Sequence, residues 1–195
     1  AMKDVVGHQS PRGGQRVVQM GLELTTQSPG IDGGAFHGRD ARDLVETLSR
    51  EKARWVARQQ TPDTLVIGAD TVVVLAGAIL GKPRDGAEAQ ARLAARSGRD
   101  HQVFTGVTLC QGDRILTQAE ETLVTFRPLT GQEIRQYVST GEPMDKAGAY
   151  GIQGLGGLLV EGIRGDYHNV MGLPICRLGR MRLDFGVDCL ALAGR

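Results

Sequence analysis

The stretch at residues 65–75, LVIGADTVVVL, constrains the fold more than any other part of the sequence. It is a nearly continuous apolar run of strand length, and such runs are typical of a buried strand. One carboxylate, Asp70, interrupts it. Aspartate often marks the exposed end of a strand or hydrogen-bonds the next turn, which is the more common explanation for a single Asp. The alternative is a catalytic or metal-binding carboxylate that a rigid sheet holds in place.

Periodicity predicts helices on both sides of this strand. Between Asp40 and Gln59, apolar residues recur at three- and four-residue steps, which is the pattern of an amphipathic helix. Lys52 lies on or beside the apolar stripe of that helix. A short helix is predicted over RVVQM, residues 16–20. Capping-box spacings or a proline mark the starts of three more helices: Asp85 with Glu88, Thr130 with Glu133, and Pro174.

Strand signals occupy the segments between these helices. They fall at Val5–Val6, LELTT (22–26), the run at 65–75 with a hairpin into AIL (78–80), QVFTGVTLC (102–110), ILTQAEETLVTF (115–126) and GLLVEGI (157–163). Because hairpins stand beside helix-linked strands, we expect an α/β fold with a mixed, twisted sheet and flanking helices. The chain has 195 residues, 41% of them hydrophobic, which is enough for one good core and a small second lobe.

Composition argues against several classes of protein. The net charge is +1 and no Lys/Arg block occurs, so no broad nucleic-acid surface is expected. The three cysteines have no C-x-x-C spacing, which argues against a disulfide framework or a zinc site and fits a reducing cytosol. No apolar run approaches the length of a membrane span, and the N-terminus lacks the apolar core of a signal peptide. We therefore expect a cytoplasmic protein with no membrane contact.

Three basic side chains are candidates for binding anions. The SPR segment at 10–12 follows a predicted strand and precedes a helix, where backbone N–H groups and Arg12 suit phosphate oxygens. Its alternative is an ordinary turn with a solvated arginine. Lys82 precedes Pro83, whose fixed backbone helps to direct the ammonium group. Taken singly, Lys82 is more simply a surface lysine, and Lys52 is more simply a helix lysine that extends to solvent.

A glycine-rich segment at 141–157, GEPMDKAGAYGIQGLGG, suits neither a regular helix nor a strand. Such a loop can approach a ligand closely. Within it, the primary amide of Gln153 offers donors and an acceptor that complement a base edge such as N3–H and O4 of uracil. A purely structural loop is the equal alternative.

Taken in order along the chain, these segments resemble the Maf family of nucleoside triphosphate pyrophosphatases. The matching motifs are SPR (10–12), REKA (50–53), IGADT (67–71), GKPRD (81–85), FTGV (104–107), the glycine-rich segment at 141–157 and GDYHNVMGLP (165–174). The resemblance covers almost the whole chain. It implies a single Maf-like domain over residues 1–195, with two lobes around a central cleft. It also implies hydrolysis of a nucleoside triphosphate to the monophosphate and pyrophosphate, with a divalent cation, Mg²⁺ or alternatively Mn²⁺.

The resemblance assigns roles to the candidate residues. Asp70 matches the proposed proton acceptor that activates water, and it is also a candidate metal ligand. A carboxylate among phosphates needs neutralising cations, which the metal, Lys52, Lys82 and Arg12 would supply. Ser10 belongs to the substrate-binding loop that carries Arg12.

Substrate choice is implied by three positions. Arg12, Thr71 and Gln153 resemble the branch of the family that acts on dTTP and UTP. The sister branch, which acts on 7-methyl-GTP, differs after the SP pair, after the aspartate and near the glutamine.

The sequence also departs from the family pattern. His8 stands where the family usually has Ser, Gly13 where it has a second Arg, and Gly33 where it has Glu after Asp32. Losing an arginine and a carboxylate weakens phosphate and metal binding. The main hypothesis is a dTTP/UTP pyrophosphatase with a house-cleaning role, modified pyrimidine triphosphates being further candidate substrates. Two alternatives remain: a catalytically weak nucleotide-binding regulator of cell division, and a pyrophosphatase for noncanonical purine triphosphates. A homodimer is an open option.

Overall fold

The structure is a computed structural model that describes residues 4–7, 24–27 and 40–194. The short helix expected at 16–20 lies outside these ranges. So do Ser10 and Arg12, and the departures His8, Gly13 and Gly33.

The described strands form a seven-stranded mixed sheet. They are β1 (Asp4–Gly7), β2 (Leu24–Gln27), β3 (Leu65–Leu75), β4 (Ala78–Leu80), β5 (Asp100–Gln111), β6 (Arg114–Phe126) and β7 (Val160–Arg164). The order is β2-β1-β3-β5-β6-β7, with β4 paired to β3. Strand β1 is parallel to both β2 and β3, whereas β4 is antiparallel to β3 and β7 is antiparallel to β6. The prediction of a mixed sheet in an α/β fold is confirmed.

The helices fall between the strands and near the C-terminal end of the chain. They are α1 (Ala41–Ala57), α2 (Gly86–Arg96), α3 (Gly131–Ser139), α4 (Tyr167–Val170), α5 (Ile175–Leu183) and α6 (Cys189–Ala193). Short 3₁₀ turns occupy the glycine-rich segment at Glu142–Asp145, Ala147–Ala149 and Leu155–Leu159. None of the described helices has the length and apolar character that a membrane span requires.

The capping-box predictions have different outcomes at the two helices. At α3 the box is complete, because Thr130 accepts from the backbone of Glu133 and the Glu133 carboxylate accepts from the backbone of Thr130. At α2 only half of it forms. Asp85 accepts from the backbone of Glu88 at 2.8 Å, but the Glu88 carboxylate binds Arg84 and Arg92 instead of returning to the helix start. Two guanidinium partners outcompete one backbone N–H for that carboxylate.

Two boundaries differ from the sequence-based prediction. The strand expected at 157–163 begins only at Val160, because Leu155–Leu159 forms a 3₁₀ turn. The helix expected from Pro174 is α5, with Pro174 at its N-cap, but it is not the last one. Helix α6 follows, started by the Asp188 carboxylate, which accepts from the backbone of Leu190 and Ala191.

The chain divides into two compact units, each assembled from separated segments. The first comprises Ala1–Asp70, Thr105–Glu120 and Gly172–Arg195, and the second Thr71–Phe104 and Glu121–Met171. The core of the first unit consists of Leu65, Ile67, Ala69, Val107, Leu109, Leu173, Leu178, Met181, Phe185 and Val187. The core of the second consists of Val73, Leu93, Val103, Val124, Phe126, Ile134, Tyr137, Tyr150 and Leu159. The single Maf-like domain and its central cleft stay predictions.

Candidate active site

The first unit brings Lys52 of α1 and Asp70 of β3 into direct contact. The Lys52 ammonium lies 2.5 Å from Oδ1 of Asp70. The lysine side chain is 7% exposed and the aspartate side chain 17% exposed. The alternative of a helix lysine that extends to solvent is therefore wrong for Lys52.

The alternation of β3 explains why a carboxylate stands in an apolar strand. Leu65, Ile67 and Ala69 point into the core of the first unit. Val66 points to the opposite face, where it packs with residues of α1. Since side chains alternate along a strand, Asp70 shares the face of Val66. It lies within the strand and not at its end, so the strand-end alternative for Asp70 is wrong.

Two glycines allow α1 to approach the sheet closely. A Cβ on Gly68 of β3 would lie 2.4 Å from the Ser49 carbonyl oxygen, and one on Gly106 of β5 would lie 2.0 Å from the Val45 carbonyl oxygen. The helix backbone thus rests on the backbone of the sheet. A buried hydrogen bond of 2.9 Å between the hydroxyl groups of Ser49 and Thr108 adds a polar contact at the same interface. This close approach places Lys52, almost one turn further along α1, beside Asp70.

The electrostatics of the pair follow from its burial. Burial raises the pKa of the Asp70 carboxyl above its ordinary value, and the Lys52 ammonium opposes that rise. A carboxylate with a raised pKa is a stronger base than one in water. The lysine ammonium carries three N–H donors, so its bond to Asp70 leaves donors for a second anion.

The second unit carries three further residues of the predicted site. Thr71 follows Asp70 directly in β3 and is half-buried. Lys82 is exposed just after β4, ahead of the buried Pro83. Gln153 is exposed on the glycine-rich segment, between Gly151 and Gly154.

Sequence reasoning missed a carboxylate beneath that segment. Glu142 turns its side chain under the loop, where it accepts hydrogen bonds from Tyr137 and from the backbone of Leu155 and Gly156. A glutamate in the GEP sequence at 141–143 gives no sign that it turns inward. The nearby glycines are the only hint, because they leave room for it.

A second missed feature is the buried cation Arg96. Its guanidinium donates to the carbonyl oxygen of Gly148 and lies over the rings of Phe126 and Tyr150 at 5.2 and 5.3 Å. Burial lowers the pKa of Arg96 to about 10, which leaves it protonated at neutral pH. Gly148 adopts a positive φ of 76°, and a Cβ there would press on Val73. Arg96 therefore fixes the middle of the glycine-rich segment.

The described residues suit a metal only in combination with a substrate. Among them, no three His, Cys, Asp or Glu side chains gather into a metal-binding group. Magnesium in nucleotide sites commonly uses one or two carboxylates, several waters and the phosphates themselves. Asp70 fits the protein part of such a site.

A mixed α/β fold with a buried Lys–Asp pair is a typical setting for an enzyme active site. Comparison with protein families identifies the family. The chain belongs to the Maf family, whose model, described as Maf-like protein, matches residues 5–184. The resemblance found in the sequence motifs is thereby confirmed.

Relatives named dTTP/UTP pyrophosphatase align along most of the chain. The one from Symbiobacterium thermophilum is 48% identical over 182 residues, 93% of each chain. The one from Moorella thermoacetica is 49% identical over 189 residues, 95% of this chain and 96% of the relative. The one from Escherichia coli K12 is 46% identical over 166 residues, 85% and 84% respectively.

Among solved structures, a nucleoside-triphosphatase (dITP/XTP pyrophosphatase) from Mycobacterium abscessus is similar over 66% of this chain and 76% of its own. The TM-score is 0.42 and the identity 15%. A likeness at that level carries no conclusion about this chain.

Proposed function

We propose that this protein is a nucleoside triphosphate pyrophosphatase that hydrolyses dTTP and UTP to the monophosphate and pyrophosphate. The observation that carries the proposal is the buried Lys52–Asp70 pair at 2.5 Å, a base and a cation held together on rigid elements. The names of relatives at 46–49% identity support the same substrates.

In this proposal Asp70 is the general base. Lys52 binds Oδ1 of Asp70, so Oδ2 accepts a proton from water as the water oxygen bonds to the α-phosphorus. The bridge between the α- and β-phosphates then breaks, and pyrophosphate leaves with the bridging oxygen. Oδ2 is the oxygen that the bond to Lys52 leaves available for this proton transfer. The remaining donors of Lys52 would bind the negative charge that develops on the phosphoryl oxygens.

The other predicted residues would bind and select the nucleotide. We propose that Ser10, Arg12 and Lys82 bind phosphate oxygens, and that Arg12, Thr71 and Gln153 select a pyrimidine base. A divalent cation, Mg²⁺ or Mn²⁺, held by Asp70 and the phosphates would supply positive charge to the transferring group. Within a cell, we propose a cytoplasmic house-cleaning role that keeps noncanonical pyrimidine nucleotides out of nucleic acid.

Pyrophosphate release tests the proposal directly. We would measure it from UTP, dTTP, CTP, 7-methyl-GTP and ITP with Mg²⁺, using wild type, Asp70→Asn and the matched control Asp63→Asn. Asp63 is an exposed aspartate whose carboxylate binds the hydroxyl of Thr61. We expect cleavage of UTP and dTTP by wild type and Asp63→Asn, and none by Asp70→Asn. If no triphosphate is cleaved while UTP still raises the melting temperature, the nucleotide-binding regulator replaces the enzyme.

A further inference from the structure

We propose that Glu142 and Tyr137 are positioning residues that hold Gln153 against the pyrimidine base. This inference rests on the proposed function, in which Gln153 recognises the base. It assigns base selectivity to two side chains that do not themselves reach the nucleotide.

The Glu142 carboxylate binds the loop on the C-terminal side of Gln153. Its Oε2 accepts from the backbone N–H of Leu155 at 3.0 Å, and its Oε1 accepts from that of Gly156 at 2.9 Å. The same Oε1 accepts from the Tyr137 hydroxyl at 2.6 Å. Both carboxylate oxygens are thus used to fix two consecutive peptide groups.

Tyr137 binds the loop on the N-terminal side of Gln153. Its hydroxyl oxygen accepts from the backbone N–H of Gly151 at 3.1 Å while its proton goes to Glu142. Its ring lies in the core of the second unit, and the side chain extends from α3. Tyr137 and Glu142 therefore hydrogen-bond the backbone on both sides of Gln153 and link it to helix α3.

The loop glycines are required by this arrangement. A Cβ on Gly154 would lie 2.4 Å from Oε2 of Glu142, and one on Gly156 would lie 2.7 Å from the Tyr137 hydroxyl. The Glu142 carboxylate fills the space that a side chain at Gly154 would need. At Gly156 the Tyr137 hydroxyl shares that space with the Gly151 carbonyl oxygen, which would lie 2.5 Å from the Cβ. Gly154 and Gly156 thus allow a carboxylate and a phenol from within the protein to approach the loop closely.

The protonation states match these roles. Burial acts to raise the pKa of Glu142, but the hydrogen bonds from Tyr137, Gly156 and Leu155 outweigh it and lower the pKa below its ordinary value. Burial and the bond to Glu142 raise the pKa of Tyr137. At neutral pH an ionised carboxylate thus faces a protonated phenol, and such charge-assisted hydrogen bonds are the stronger ones.

Positioning matters because a glycine-rich loop is intrinsically free to move. A displacement of about 1 Å in a recognition group can cost on the order of a hundredfold in rate. Gln153 is exposed, and its own packing does not fix it. The backbone bonds to Glu142 and Tyr137 supply the rigidity that base discrimination by one amide needs.

The test compares uracil with cytosine, whose edges differ at N3 and at position 4. We would measure dissociation constants for non-hydrolysable analogues of UTP and CTP with wild type, Tyr137→Phe, Glu142→Gln and Gln153→Ala. Tyr167→Phe is the matched control, since Tyr167 is an exposed tyrosine of the same unit. We expect Tyr137→Phe and Glu142→Gln to reduce the preference for the UTP analogue by up to about tenfold. When Gln153→Ala is combined with either change, the double variant should have nearly the same preference as Gln153→Ala alone.

The outcomes separate this inference from the proposed function. Loss of folding alone would weaken both analogues equally, and Glu142→Gln keeps the shape of the side chain if Tyr137→Phe fails to fold. An unchanged preference in both variants, or a wild type without preference, overturns the inference. Turnover of UTP by wild type, measured separately, decides the proposed function. If wild type cleaves UTP and both variants keep the preference for the UTP analogue, the proposed function stands and the positioning role is refuted.

Discussion

The carbonyl oxygen of Ser49 in α1 lies 2.4 Å from the point that a Cβ would occupy on Gly68 in β3. The backbone nitrogen and the Cβ of Ala53, also in α1, lie within 3 Å of the same point. As a result Lys52, which lies almost one turn beyond Ser49, reaches Asp70, which lies two residues beyond Gly68 on the same strand face. A glycine in the strand thus sets the distance within the Lys52–Asp70 pair.

Replacing Gly68 with alanine should separate that pair. The new Cβ would force α1 away from β3, and overpacking of this kind costs about 1–3 kcal/mol of stability. We expect Gly68→Ala to unfold at a lower denaturant concentration and to release pyrophosphate from UTP at least tenfold more slowly.

Gly179 provides the matched glycine for comparison. It lies inside α5, and no atom lies within 4 Å of the position that a Cβ would take there, so Gly179→Ala should be neutral or add up to about 1 kcal/mol. Equal stability of wild type and Gly68→Ala would contradict the role assigned to Gly68.

Local signals in the sequence predicted most of the fold. The apolar run at 65–75 is β3, the periodic stretch after Asp40 is α1, and the Thr130 box starts α3. These signals succeed because each depends on neighbours within a few residues. Helix α6 was missed because its five residues, CLALA, are all apolar and too few to show a helical period.

The residues of the predicted site were named from local patterns and motifs, and their roles stay predictions. Asp70 was singled out from the apolar run and Lys52 from the helical stripe, and the resemblance to the family assigned their roles. Their contact depends on a long-range packing of helix on strand. Glu142 and Arg96 carry no such signal, because an inward-turned charged side chain looks like a surface one in sequence. Only the three-dimensional arrangement of their partners reveals them.

Lys52→Met should destabilise the protein strongly. The change leaves the Asp70 carboxylate buried without its cation, and breaking one side of a buried pair typically costs about 3–5 kcal/mol. Adding Asp70→Asn in the same chain removes the unpaired charge and should restore most of that loss. Urea unfolding of both single variants and the double variant at pH 7 measures the coupling.

Arg54→Met is the control for this cycle. Arg54 lies on the same helix and pairs with Glu51 at 3.5 Å, but both side chains are more than two-fifths exposed. An exposed pair contributes little, so this variant should stay within about 1 kcal/mol of wild type. A loss as large as that of Lys52→Met would show that any removed charge on α1 has the same effect.

Magnesium should bind together with the nucleotide and not before it. The ligands that we assign to the metal are one carboxylate, Asp70, and the phosphates of the nucleotide. Millimolar Mg²⁺ alone should leave the melting temperature unchanged, whereas Mg²⁺ with a non-hydrolysable UTP analogue should raise it above the analogue alone. EDTA or Asp70→Asn should remove that increment. A similar increase with Mg²⁺ alone would reveal a preformed metal site and overturn this assignment.

Stability should fall in mild acid because of His101. Its Nε2 shares a hydrogen bond of 2.7 Å with the Tyr150 hydroxyl, and its ring packs against Phe126. Burial, with the charge of Arg96, lowers the pKa of His101 to about 3. In the unfolded chain the ordinary value is near 6.5. Between these values the unfolded state binds a proton that the folded state does not, so stability falls as the pH falls.

We therefore expect His101 to contribute a slope of about 1.4 kcal/mol per pH unit between about pH 6 and pH 4. His101→Gln keeps a hydrogen-bonding group for Tyr150 but cannot take up that proton. The variant should be less stable than wild type at pH 7.5, and the gap should close as the medium becomes more acidic. His168→Gln is the control, since that side chain is 45% exposed. Parallel pH profiles for wild type and His101→Gln would mean that His101 takes up its proton as readily in the folded protein as in the unfolded chain, and would contradict this prediction.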